Sequence, residues 1–250
     1  MRFFLDLSYD GTNFHGWQRQ PNAVSVQQTV EDALSVISRK KIDIIGAGRT
    51  DTGVHATKMY AHFDSDAIPD KKKILTSLNR MIGNEIAIND LLPVREDAHA
   101  RFDAVSRTYH YYISLRKNPF SFRYTHQMSR LPDIQKMNEA ASILLNTEDF
   151  TSFAKLHSDT KTNICRVTQA EWRKEPACHC IYFVITANRF LRNMVRAVVG
   201  TLVEVGLNKI SLEEFKEIIL KKDRCAAGMS MPAKGLFLTN IVYPKEIFIL

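Results

Sequence analysis

The chain reads as an α+β fold: two similar α/β halves in which helices cover sheet strands. Three observations in its 250 residues predict this. Segments with period-two alternation take turns with segments of helical period. The same rhythm recurs in the second half, as a duplication would leave it. No low-complexity linker separates the halves, so they are expected to pack around a shared cleft, over one sheet or two joined sheets. The boundary is placed between residues 1–104 and 105–250.

The elements follow in order. Residues 2–9 read as a strand, followed by the turn-rich Asp10-Gly11-Thr12-Asn13 and by Gly16. Ser25 with Gln28 forms a capping-box pattern, opening a helix whose apolar stripe is Val26, Val30, Leu34 and Ile37. Strands are expected at 42–46 and 57–63. A helix over 70–82 carries Ile74, Leu78 and Met81 and is stopped by Gly83. A strand at 86–92 completes the first half. In the second, 106–115 alternates as a strand, and 133–145 is helical through Ile134, Met137, Ala141 and Leu144. Strands near 164–173 and 180–187 precede a helix starting close to Asn188. Ser211 and Glu214 cap another helix, with Leu212, Phe215 and Ile218 on one side, and a last strand covers 236–243.

Composition bounds the function. With 45% hydrophobic and 24% charged residues, the balance is that of a soluble globular protein. Nowhere do about 18 apolar residues run together, so no membrane span is expected. The start, Met1-Arg2-Phe3-Phe4-Leu5-Asp6, meets an acid too early for a secretory leader. A cytoplasmic enzyme is the expectation. Of the four cysteines, Cys178 and Cys180 flank His179 while Cys165 and Cys225 stand apart. A C-x-C pair lacks the reach of a C-x2-C knuckle and no second pair completes four ligands, so structural cysteines are expected and no metal site.

Charge points toward an anionic partner. Lys and Arg number 34 against 27 for Asp and Glu, a net charge of +7. From Arg101 to Arg130 the cations Arg107, Arg116, Lys117 and Arg123 are interleaved with Phe102, Tyr109, Tyr111, Tyr112, Phe120, Phe122 and Tyr124. Asp103 is the only acid there. Cations for phosphates mixed with rings for bases suit RNA. A strand pair with a Tyr-rich buried face and solvated charges would leave the same pattern.

Two segments carry chemistry. Gly46-Ala47-Gly48-Arg49-Thr50-Asp51-Thr52-Gly53 lies between strand-like pieces, and its glycines let the backbone turn sharply and approach a ligand. Arg49, two positions before Asp51, favours the ionised carboxylate, which suits a nucleophile or an electrostatic catalyst. An Asx turn in an ordinary loop would look alike. A dinucleotide fingerprint does not fit, because Asp51 stands where its third glycine should be and would repel a pyrophosphate. The second segment runs from Ala187 to Arg196. There Arg189, Arg192 and Arg196 fall on one helical face, and Leu191, Val195, Val198 and Leu202 on another. Such a row grips phosphates, aims a guanidinium at a carboxylate, or is simply solvated.

The ordered motifs go further. Tyr9-Asp10-Gly11-Thr12, Gly16-Trp17-Gln18, Gly48-Arg49-Thr50-Asp51 through His55-Ala56, Ala100-Arg101-Phe102, Arg107-Thr108-Tyr109-His110-Tyr111, Asp149-Phe150-Thr151-Ser152-Phe153, Met194-Val195-Arg196 and Gly235-Leu236 stand in sequence along nearly the whole chain. In these blocks the chain resembles the bacterial tRNA pseudouridine synthases that modify positions 38–40 of the anticodon stem-loop. The resemblance implies a pseudouridine synthase fold, with a mixed, mainly antiparallel central sheet flanked by helices and a cleft between the halves. It implies Asp51 as the essential aspartate and Tyr109 as the ring that stacks on the target uracil. Arg49 and Arg196 would stand near the aspartate, Arg196 pairing with it, and Leu236 would pack against the site. The chain departs from the family at Thr52, where alanine is commonest, and at Met231-Pro232-Ala233.

The implied reaction breaks the N1–C1′ bond of a uridine, turns the base, and joins C5 to C1′. It involves no redox change, metal or cofactor, and the base must leave its stack at a cost of about a few kcal/mol. Asp51 has three routes: addition to the uracil, attack at C1′, or abstraction of a sugar proton. The implied partners are tRNA and a second copy of the chain. Two rivals fit less well. A zinc deaminase needs H-x-E and P-C-x-x-C, which the chain lacks. A non-catalytic RNA-binding protein leaves a carboxylate opposing phosphate without a purpose.

Overall fold

The computed structural model describes residues 1–66, 70–156, 160–175 and 180–249; Cys178 and His179 of the C-x-C pair lie outside them. Nine strands and five α-helices among the described residues give the expected α+β fold with a mixed, mainly antiparallel sheet flanked by helices. Among the described residues, no helix is long and apolar enough to cross a membrane. The chain forms two compact units: Met1–Ser106 with Leu238–Leu250, and Arg107–Phe237.

In the first unit β1 (Arg2–Tyr9) is buried on both faces and pairs antiparallel with β3 (His55–Asp64) and with β4 (Ile86–Val94). The register against β3 slips between Leu7 and Tyr9, where the strand reaches the Gly-rich loop. Helix α1 (Val26–Ser38) starts on Ser25, whose Oγ accepts from the Gln28 N–H at 3.2 Å. Helix α2 (Lys71–Met81) starts on Asp70 and packs on β4 and α1. It ends before Gly83, with Ile82 already extended. Phe4, Leu5, Leu7, Met59, Leu78 and Leu91 are fully buried between these elements.

The strand expected at 42–46 shrinks to β2 (Ile45–Gly46). The reason is local competition: Ser35 Oγ takes the Ile42 N–H at 2.9 Å and Glu31 Oε1 takes that of Ile44 at 3.1 Å. Side chains of α1 thus satisfy groups that a strand would have paired.

In the second unit β5 (Ser106–Ser114) pairs antiparallel with β8 (Cys180–Ala187), which pairs with β7 (Val167–Glu175). A two-residue β6 (His126–Gln127) adds the parallel contact, on β5. Helix α3 (Ile134–Ile143) is capped by Asp133 and packs on β7 and on α4 (Met194–Gly206). Helix α5 (Leu212–Lys221) has the expected capping box, Ser211 and Glu214 each holding the other's N–H. The final strand, β9, covers Leu236–Val242.

One expectation fails here. The helix placed near Asn188 begins only at Met194, so Arg189 and Arg192 precede it and only Arg196 of the arginine row is helical. Asn193 sits in the left-handed region (φ 66°, ψ 0°), which asparagine tolerates and which a continuous helix cannot include. Asn188 is meanwhile held to Arg166 by backbone and side-chain hydrogen bonds, extending the sheet edge instead.

Candidate functional site

The loop of Asp51 is built by contacts from residues far back in the chain. The Thr50 side chain is buried and its Oγ1 lies 2.9 Å from the Tyr9 hydroxyl. Its carbonyl accepts the Trp17 N–H at 3.2 Å. On either side of Asp51, Gly53 donates to the Phe14 carbonyl at 3.3 Å, and the Asp51 carbonyl closes a turn by accepting from Val54 at 3.1 Å. Asp51 itself is half-buried, and Arg49 is exposed on the same loop.

Glycine is required where segments meet. A Cβ on Gly11 would stand 2.0 Å from the Val54 carbonyl oxygen, and one on Gly16, at φ 86°, would stand 2.4 Å from that of Thr50. One on Gly46 would enter the Trp17 ring at 2.5 Å. Gly48 differs: a Cβ there meets nothing within 4 Å, so its backbone faces open space beside Arg49. Asp10 folds its own turn by accepting from Thr12, while Gly11 donates to buried His55 Nδ1 at 3.0 Å. The Tyr-Asp-Gly-Thr and Gly-Trp-Gln blocks are therefore the scaffold of the aspartate loop.

The second unit arranges the other predicted residues. Alternation along β5 puts Tyr109 and Tyr111 on one face, His110 and Tyr112 on the other. Tyr109 is half-buried, with Phe190 edge-on to its ring at 5.0 Å and 84°. Tyr111 is fully buried, donates to the Pro232 carbonyl at 2.8 Å, and has its phenol pushed up by burial, with the nearby Arg196 charge opposing. Arg196 Nε donates to the Met231 carbonyl at 2.6 Å, and Met231 N–H returns a bond to the Arg196 carbonyl at 3.1 Å. Leu236 is buried at the start of β9, just after Gly235, where a Cβ would press on the Tyr111 ring at 2.8 Å. Arg196 and the 231–235 segment thus meet Tyr111, on the strand face that also carries Tyr109, and Arg49 and Asp51 share one loop of the first unit.

The aromatic run of 101–130 does not form one buried face. Tyr111 is buried, whereas Phe102, Phe120 and Phe122 are exposed. Arg101 lies over Phe102 and Arg123 over Phe122, at 5.7 and 5.6 Å from the ring centres. Buried Cys165 has its thiol pushed up to about 11 by burial, as an inert core residue does. Among the described residues, no group of three or more His, Cys, Asp or Glu is placed to hold a metal ion. Two contacts have no signal in the sequence: that Phe190 stands edge-on to Tyr109, and that Tyr9 meets Thr50, join residues 81 and 41 positions apart that no local spacing relates.

Comparison with known proteins converges on one family. A family model described as tRNA pseudouridine synthase matches residues 7–103 and 140–244. Asp51 lies in the first span, Arg196 and Leu236 in the second, and Tyr109 between them. A Bacteroides fragilis protein named tRNA pseudouridine synthase A is 52% identical over 248 residues, covering 99% of this chain and 98% of the relative. Its namesake from Porphyromonas gingivalis is 50% identical over 250 residues, 99% of each chain. The one from Acetivibrio thermocellus is 39% identical over 241 residues, 96% of this chain and 98% of the relative.

Proposed function

The chain belongs to the tRNA pseudouridine synthase family, and from that premise we propose that it isomerises uridine to pseudouridine at positions 38, 39 and 40 of the tRNA anticodon stem-loop, with Asp51 as nucleophile. The observation that carries this reading is full-length similarity, at about half identity, to proteins named tRNA pseudouridine synthase A. The anchored loop supports it as well: Thr50 and Gly53, flanking Asp51, are both tied to the 9–17 segment, so the carboxylate is presented from fixed backbone.

In the proposed reaction the target uridine leaves its stack and its uracil lies on the Tyr109 ring. Asp51 acts on the nucleotide as the N1–C1′ bond breaks. The base turns, C5 bonds to C1′, the C5 proton leaves and N1 takes up a proton. The family resemblance assigns that proton to Tyr109, and the edge-on contact of its ring with Phe190 supports a fixed ring plane for the role. In this scheme Arg196 is the partner that the family resemblance assigns to the Asp51 carboxylate. Arg49 stands near the aspartate on the same loop, and Leu236 packs against the site. No metal or cofactor enters this scheme. The net charge of +7 suits tRNA as partner. The family resemblance extends the proposal to a cytoplasmic homodimer in which one tRNA reaches across both subunits.

Mapping pseudouridine in tRNA from cells lacking this protein tests the assignment. Loss at positions 38–40, restored by the wild-type chain, is expected. Full modification at all three would refute it.

A further inference from the structure

Arg224 lies at the start of a short turn over Arg224–Ala226, outside the residues assigned above. The turn is firmly seated: Asp223 caps it by accepting from Cys225 N–H at 2.8 Å, and Asp223 N–H itself donates to buried Ser152 at 3.1 Å. From this base the half-buried Arg224 guanidinium reaches forward into residues 227–230. Its Nη1 donates to the carbonyls of Ala227 at 3.3 Å and Gly228 at 3.2 Å, and its Nη2 to Ser230 Oγ at 2.8 Å. A planar guanidinium with several fixed donors is suited to holding such a turn in one shape.

That turn lies directly on α4. A Cβ on Gly200 would stand 1.9 Å from the Met229 carbonyl oxygen, and one on Gly228 3.1 Å from the Thr201 Cα, so the two backbones pack in close contact. Gly228 N–H donates to buried Thr201 Oγ1 at 3.0 Å. Ser230 Oγ, besides receiving Arg224, receives Asn193 Nδ2 at 2.6 Å, and Asn193 is the left-handed residue where α4 begins. The next residue, Met231, holds Arg196 through both its N–H and its carbonyl. The turn that Arg224 braces thus touches both the residue at which the helix of Arg196 starts and, through Met231, the Arg196 guanidinium.

We propose that Arg224 is a positioning residue for the isomerisation, fixing the direction of Arg196 through the 227–231 turn and Asn193. This rests on the role given to Arg196 above. Arg224 has no contact with the reacting atoms in this scheme; its effect passes through Met231.

The test uses the full chain with Arg224→Gln, and Ser230→Ala as a milder second variant that removes one end of the brace. In both, kcat on tRNA is expected to fall, about ten- to a hundredfold for Arg224→Gln, while KM for tRNA changes by less than about threefold. The Arg196 Nε–H resonance in ¹⁵N-arginine-labelled protein is expected to shift and to exchange faster. An unchanged kcat in both variants overturns the proposal. So does a lost kcat with the Nε–H signal unmoved, because the effect then bypasses Arg196. If Arg196→Lys leaves kcat intact, it is the reading of the reaction that falls; the Nε–H signal reports the brace without any turnover.

Discussion

The Tyr9 hydroxyl lies 2.9 Å from Thr50 Oγ1, both side chains buried, and so ties the end of the first strand to the residue before Asp51. Removing that hydroxyl leaves the Thr50 oxygen buried without this partner. Tyr9→Phe should cost about 1–2 kcal/mol of stability, read as a lowered denaturation midpoint. Because the loop also loosens, kcat should fall more than KM rises. A variant with wild-type kcat would mean that the glycine contacts alone hold the loop.

Gly11 and Gly48 should respond oppositely to alanine. Gly11→Ala forces a methyl 2.0 Å from the Val54 carbonyl and should unfold or badly weaken the first unit. Gly48→Ala meets nothing within 4 Å, so its melting temperature should stay within about a degree or two of wild type. If tRNA backbone approaches this loop, as proposed, Gly48→Ala should nonetheless raise KM. Thermal melts and steady-state kinetics on the two variants separate fold from substrate approach.

His62 is expected to make folding acid-sensitive. It is buried, accepts the Ala100 N–H at 3.1 Å, and lies 4.6 Å from the His99 ring. Burial first, then the His99 and Arg2 charges, lower its pKa from 6.5 to about 4. The folded state therefore resists protonation that the unfolded chain accepts. The contribution is complete above pH 6.5, declines as pH falls toward 4, and amounts to at most about 3 kcal/mol. His62→Gln should flatten urea midpoints between pH 6.5 and 4; an equally steep loss in the variant would assign the acid sensitivity elsewhere.

Tyr109→Phe keeps the ring, its edge contact with Phe190 and its capacity to stack, and removes only the hydroxyl. With proton handling assigned to that hydroxyl, kcat should drop by about 10²-fold or more while tRNA affinity holds. Near-normal turnover would reduce Tyr109 to a stacking surface.

Much of this was legible in the sequence, for reasons that differ by element. Ser211 with Glu214 and the alternation of 106–115 are local signals, and local interactions realised them as the capping box and β5. Competition from outside the segment was not legible. Glu31 and Ser35 took the N–H groups of Ile44 and Ile42, and Asn193 delayed α4 by several residues despite an apolar stripe that ran through it. At the site, three glycines and a carboxylate announced an unusual loop. That Gly46 makes room for Trp17, and Gly11 for Val54, depends on residues about 30 to 40 positions apart and no spacing rule contains it. The exposed Phe120 and Phe122 and the buried Tyr111 likewise read alike as composition and separate only once the strand and its following loop exist.

The claim that Asp51 is the nucleophile is tested most directly by Asp51→Asn, which keeps size and shape and removes the charge. Binding of full-length tRNA and pseudouridine formation should be measured on the same preparation. With Asp51 as nucleophile, tRNA affinity should stay within about threefold of wild type and no product should be detectable. Pseudouridine formed by Asp51→Asn at a measurable fraction of the wild-type rate would contradict it.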